Sequence, residues 1–204
     1  MTRGRVVFAA VLALVLAGAT PRMLSGADGS ITGTVKATGL ASNADAVVYV
    51  QQAPGTFNPP APPVSMDQRK MQFIPHVLPV VVGSTVRFLN SDPTAHNVFS
   101  PDFEKYNLGT WPQGQSKNHT FVHCAKFPCV YTQLCRVHPE MEGFVVVLPN
   151  PHSAVTDKEG RFEIAGVPPG SYTVGVWHPK LKGAPKPVTV EAGKAATVDF
   201  TLGR

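Results

Sequence analysis

Short runs of alternating apolar and polar residues, broken every few positions by Pro or Gly, organise the chain after its N-terminal segment. Period-two alternation bounded by turn residues predicts β-strands. Ser30–Ala37 alternates, and Ala46–Gln51 is a β-branched run. Met71–Ile74, Val77–Val82, Thr85–Asn90, His96–Ser100, His119–His123, Val130–Leu134 and Phe144–Leu148 continue the pattern. A Pro- and Gly-rich stretch over 53–63 reads as a linker or long loop. After Pro149-Asn150-Pro151 come Ala154–Thr156, Arg161–Ile164, Ser171–Trp177, Pro187–Glu191 and Ala196–Leu202, with turns at Asp157-Lys158-Glu159-Gly160 and Val167-Pro168-Pro169-Gly170. No window carries a helical period beyond two turns. With 20 Pro and 18 Gly in 204 residues, the reading is all-β, as two sandwiches.

The first residues follow another rule. Met1-Thr2-Arg3-Gly4-Arg5 is basic, and Val6 to Gly18 is an uncharged, almost wholly apolar run. Ser25-Gly26-Ala27 places small residues where a signal peptidase cuts. This predicts a secretory signal peptide over 1–27 and a periplasmic or extracellular protein, with no stable membrane insertion after cleavage. An uncleaved anchor is the alternative, although the run is short for a membrane span. No Cys lies near the cleavage region, which argues against a lipoprotein anchor. Cleavage removes Arg3, Arg5 and Arg22 and leaves 15 basic against 13 acidic side chains, so the formal +5 becomes +2. No Lys/Arg stripe remains to suggest nucleic acid.

Candidate chemistry concentrates in Cys135-Arg136-Val137-His138-Pro139-Glu140-Met141 and in His96 upstream. A thiolate, two imidazoles and a weak thioether form the ligand set of a blue-copper electron-transfer site. Steps of three residues let one loop turn Cys135, His138 and Met141 toward one point. Met141 could equally be core filler. Three Cys in an exported chain leave one over after pairing. Cys124 and Cys129 bracket a four-residue turn and are the expected disulfide, worth about 2 kcal/mol by the loop-entropy model. Metal ligation would then account for Cys135; a structural disulfide using Cys135 is the alternative.

Residues 71–148 resemble a cupredoxin of the plastocyanin/amicyanin kind. The likeness rests on Phe73-Ile74-Pro75, Val80 through Asn90, His96-Asn97-Val98 and Tyr131 through Met141. It implies an eight-stranded Greek-key sandwich holding one type 1 copper through His96, Cys135, His138 and Met141. It also implies that Asn97 ties the two ligand-bearing segments together and that His138 is the exposed edge for electron exit. The Cys124–Cys129 pair departs from the pattern. Four filled positions leave none for substrate, so no enzyme is expected.

The tail resembles carboxypeptidase regulatory-like, transthyretin-like domains. Thr156-Asp157-Lys158-Glu159-Gly160-Arg161-Phe162, Val167 through Tyr172 and the closing Val188-Thr189-Val190, Ala192-Gly193 and Val198-Asp199-Phe200 carry the likeness. Such domains open with a G-x-V strand and an Ala-Val-Val strand, present here at Gly29–Val35 and Ala46–Val50. The expected organisation is therefore discontinuous: residues 29–52 with 150–204 form the second sandwich, and a cupredoxin over 64–149 is inserted. The alternative assigns 29–149 to the cupredoxin and 150–204 to the tail unit.

Among other candidates, His76 is a structural histidine or an additional metal or gating residue. His119 and His123 alternate on one predicted strand and could share a second copper with Cys124. His152 and His178 read as surface or turn residues, and Glu140 as an exposed loop carboxylate. The leading expectation is an exported one-electron carrier between redox partners such as a cytochrome or a dehydrogenase. A copper-delivery protein, and a surface or carbohydrate-binding protein with a vestigial site, are the alternatives.

Overall fold

The computed structural model describes residues 27–204, so the expected signal peptide lies outside the described residues, save Ala27. The strands run β1 (Gly29–Ala37), β2 (Val47–Val50), β3 (Val64–Gln68), β4 (Phe73–Ile74), β5 (Val77–Val81) and β6 (Thr85–Asn90). They continue as β7 (His96–Phe99), β8 (Asn107–Trp111), β9 (Ser116–Thr120), β10 (Cys129–Leu134) and β11 (Glu142–Leu148). The last are β12 (Ser153–Val155), β13 (Arg161–Val167), β14 (Gly170–Trp177), β15 (Lys186–Val190), β16 (Ala195–Thr197) and β17 (Phe200–Leu202). The described residues are all-β, and none of their elements is a helix that could cross a membrane.

The strands form four sheets. One has the order β13-β1-β16, with β17 also on β1; a second has β12-β2-β14-β15. The third is β5-β11-β10-β7-β8 and the fourth β4-β3-β6-β9. Three apolar cores separate them. Ile31, Val48, Val50, Ile164, Val174 and Leu202 belong to the core between the first two sheets. Met66, Phe88, Val98, Tyr131, Val145 and Val147 belong to the core between the last two. A third core joins the two sandwiches: Val47 and Tyr49 of β2 meet Val77, Phe144, Val146 and Leu148, with Trp177 against them. Phe144 and Trp177 pack edge to face at 5.4 Å.

Two strands are therefore buried on both faces. β2 is Val-Val-Tyr-Val with every residue buried. β11 sends Val145 and Val147 into one core and Phe144, Val146 and Leu148 into the other. That is why both read as continuous apolar runs without alternation.

Two glycines fix local geometry. Gly160 closes the Asp157–Gly160 turn at φ 87°, and a Cβ there would meet the Val35 carbonyl oxygen at 2.1 Å. Gly143, next to the loop end of β11, lets Phe73 lie on it, since a Cβ would come within 2.7 Å of that side chain.

Several strand boundaries differ from expectation. Met71 is not in a strand: Lys70 and Met71 form a turn at φ 55°, and only Phe73–Ile74 pairs with β3. The predicted His119–His123 strand is shifted to Ser116–Thr120. It pairs with β6 only as far as Thr85↔Thr120, and the His123 N–H is taken by Glu104 instead of a ladder carbonyl. Ala196–Leu202 divides into β16 and β17, which pair with different stretches of β1. The break falls where Asp199 turns its carboxylate to the Thr34 N–H and hydroxyl at 2.7 and 2.8 Å. β3 and β8 were not predicted.

Candidate metal centre

The site is built at one end of the β5-β11-β10-β7-β8 sheet. β10 enters it at Leu134, the loop carrying Cys135, His138 and Met141 crosses it, and β11 leaves it. β7 starts at His96 directly after a tight turn. Asn90 forms that turn by donating to the Thr94 and Trp111 carbonyls at 2.9 and 3.0 Å and accepting from the Asp92 N–H at 2.9 Å.

Asp92 then fixes His96. Its carboxylate accepts from the Lys70 N–H at 2.5 Å, the Met71 N–H at 2.8 Å and His96 Nε2 at 2.9 Å. Burial alone would raise its pKa. The N–H groups of Met71 and Lys70 and the His96 ring outweigh burial and hold the carboxyl below its ordinary range. An ionised Asp92 accepts the Nε2 proton, which leaves the His96 Nδ1 lone pair facing inward. His96 is fully buried.

Opposite it, His138 Nδ1 lies 3.0 Å from His96 Nδ1 and 4.0 Å from Cys135 Sγ. The three donor atoms lie within 4.8 Å of one another, the only such His/Cys/Asp/Glu group of three or more among the described residues. Cys135 is a free, buried thiol. Its sulfur accepts the Asn97 N–H at 3.4 Å. The Asn97 side chain accepts from Arg136 N–H at 3.4 Å and donates to Asn107 Oδ1 at 2.9 Å and the Gly109 carbonyl at 2.8 Å. It thereby ties β7, β8 and the Cys135 loop together. Met141 is 1% exposed, shares the apolar cluster of Cys135, and closes the loop with its N–H on the His138 carbonyl at 3.0 Å. His138 is half-buried, and Val137 beside it is exposed.

One thiol and two imidazole nitrogens, brought together from the start of β7 and the β10–β11 loop, with His96 and Cys135 buried and His138 half-buried, suit a soft transition metal such as copper. The sequence reading missed Asp92. Its only signal was an Asp four residues before a His, inside a turn-like Asn-Ser-Asp-Pro-Thr stretch.

The remaining candidates lie elsewhere. Cys124 and Cys129 are bonded to each other, with Cα atoms 5.5 Å apart. Cys124 is thus unavailable for a second copper with His119 and His123. His119 instead bonds Glu104 at 2.6 Å and stacks on Tyr106 at 3.7 Å. His76 bonds Asp45 at 2.9 Å. His178 is buried and not at the surface, but it sits at the bend after β14, where its Nδ1 accepts the Lys180 N–H at 3.0 Å. His152 is half-buried against Phe57, 5.6 Å between ring centres. Glu140 is exposed.

Residues 140–203 match the family model of the carboxypeptidase regulatory-like domain. The match begins in the loop before β11; β1 and β2, which complete both sheets of the tail strands, lie outside it. No curated protein sequence matches the chain. Among solved structures, the chain is similar to a purple cupredoxin from Nitrosopumilus maritimus at 25% identity and TM-score 0.37, over 41% of this chain and 98% of that one. It is similar to a reduced amicyanin variant at 24% identity and TM-score 0.39, over 49% and 97%. It is also similar to a copper-containing nitrite reductase from Thermus scotoductus at 24% identity and TM-score 0.39, over 55% of this chain and 28% of that one.

Proposed function

We propose that the protein is an exported type 1 copper protein that carries single electrons between redox partners. His96 and His138 through Nδ1, Cys135 through its thiolate and Met141 through its thioether would hold one copper. The observation that carries this reading is the convergence of two imidazole nitrogens and a free buried thiol within 4.8 Å. Copper there would supply a one-electron couple.

The chain's own residues do the rest. An electron carrier needs donor atoms that stay in place when the charge changes. Asp92 fixes the His96 ring, and Asn97 holds the Cys135 segment and gives its sulfur a hydrogen bond. The loop is gripped at its far end by β11, a strand packed on both faces. Burial of Cys135 and Met141 keeps water from the inner donors, while half-buried His138 is the contact edge for a partner. A set of four donors leaves no position for substrate, so we read the protein as a carrier and not an enzyme.

We further propose that residues 29–52 and 150–204 fold as one unit and that 64–149 is inserted into it. The pairing of β1 with β13 and of β2 with β12 and β14 supports this division. The second unit then acts as a buttress for the sheet that carries the centre.

Voltammetry separates carrier from delivery protein. A carrier gives a reversible one-electron wave and keeps its copper against a moderate chelator. Ready loss of copper with no reversible wave would instead establish delivery.

A further inference from the structure

A cavity of about 600 Å³ opens where the two sandwiches meet, beside the centre and sharing Met141 with it. Its lining includes two thioethers, Met71 and Met141, and the imidazoles of His76 and His178, of which His178 already accepts the Lys180 N–H through Nδ1. Asp45, Glu140 and Glu142 also line it, against Lys180, so the lining favours a cation.

Met71 sits at the tip of the β3–β4 hairpin. It is 51% exposed, and its backbone sits at φ 55°, a left-handed conformation that L-residues rarely adopt. Lys70 shares that conformation, and the Asp92 carboxylate holds both by their N–H groups. They are the two central residues of the β3–β4 hairpin, where Arg69 and Gln72 exchange N–H to carbonyl bonds and positive φ at both positions is the ordinary turn geometry. Here the tether is the same carboxylate that fixes His96.

His76 is arranged as metal-bound histidines are. Its Nδ1 meets Asp45 Oδ2 at 2.9 Å across the junction, which leaves Nε2 for a ligand. A carboxylate on the far nitrogen orients the ring and raises its basicity toward a metal. Thioether and imidazole together select a soft monovalent ion such as Cu(I).

We propose that this cavity is an outer metal site, which takes up Cu(I) through the Met71 thioether and His76 Nε2 and passes it to the inner centre by way of Met141. Transfer is ligand exchange: each bond formed to an inner donor replaces one to an outer donor, and the ion keeps its oxidation state. Met141 lies at the boundary of both sites. The binding claim stands on the cavity alone; the destination of the ion rests on the copper reading above.

The test uses the full mature chain, titrated anaerobically with Cu(I) against a coloured Cu(I) chelator. Wild type should bind two equivalents. Cys135→Ser, which removes the inner thiolate, should still bind at the outer site. Adding Met71→Leu or His76→Gln to it should weaken that binding at least tenfold, since loss of a mere ligand-orienting partner already costs roughly that much. In the wild-type background, Met71→Leu should lower the stoichiometry from two to one. A Cys135→Ser protein that binds no Cu(I), or binding untouched by either outer substitution, overturns the proposal. Failure of the copper reading has a separate sign, the absence of a thiolate-to-copper band in wild type loaded with Cu(II).

Discussion

Asp92 makes three hydrogen bonds with one carboxylate, two to backbone N–H groups and one to a proposed metal ligand. Asparagine has one acceptor oxygen and a donor amide, so it cannot serve all three. Asp92→Asn should weaken copper binding by roughly 10- to 100-fold, as changes to ligand-orienting groups do. Chelator competition measures this; an unchanged affinity would show that His96 needs no such support. Glu104 is the analogous residue at the other end of the sandwich. Burial would raise its pKa, but the His123 N–H, the Tyr131 hydroxyl and His119 outweigh burial and lower it. A depressed carboxyl pKa stabilises the fold above the ordinary value of 4.5 and loses that contribution as pH falls through the depressed value. Glu104→Gln should therefore cost about 1–3 kcal/mol near neutrality, the scale of hydrogen bonds to a charged group. The gap to wild type in denaturant unfolding should shrink as the pH drops below 4.5, and a gap that persists unchanged into acid would contradict this. The convergence of Cys135, His138 and His96 was legible because their residue types have few joint uses. Asp92 was not, because an Asp in a Pro-containing turn has a sufficient local explanation until its partners from the β3–β4 turn are seen.

At the scale of elements, β11 is the hinge of the architecture. Its alternate residues enter different cores, and its first residues follow the Met141 loop. Leu148 is 1% exposed and faces the core between sandwiches, so Leu148→Ala should cost about 2–5 kcal/mol. Thermal or denaturant unfolding measures the loss. A cost well under 1 kcal/mol would mean that the third core is loose. The sequence showed β2 and β11 as apolar runs but not what covered their second faces, since periodicity records burial and not the partner. β3 was hidden because Val64-Ser65-Met66-Asp67-Gln68 is short, follows a Pro-rich stretch and buries a polar Gln68. β8 was hidden because only Trp111 among its five residues is buried.

At the scale of the molecule, four sheets stack around three cores, so the two sandwiches share material in β2 and β11. The pairing of the N-terminal strands with the tail runs across the whole intervening sequence. Cleavage within the 53–63 linker should leave residues 27–52 bound to the rest under native conditions, with the nicked protein still melting in one transition. Release of that fragment with the tail undisturbed would contradict the discontinuous organisation. Everything proposed for the centre depends on whether copper bonds the Cys135 sulfur. The most direct measurement is the visible absorption spectrum of the mature protein with one equivalent of Cu(II). The account predicts an intense thiolate-to-copper charge-transfer band that saturates at one equivalent and is absent from Cys135→Ser. A protein that holds copper tightly and remains colourless would contradict it.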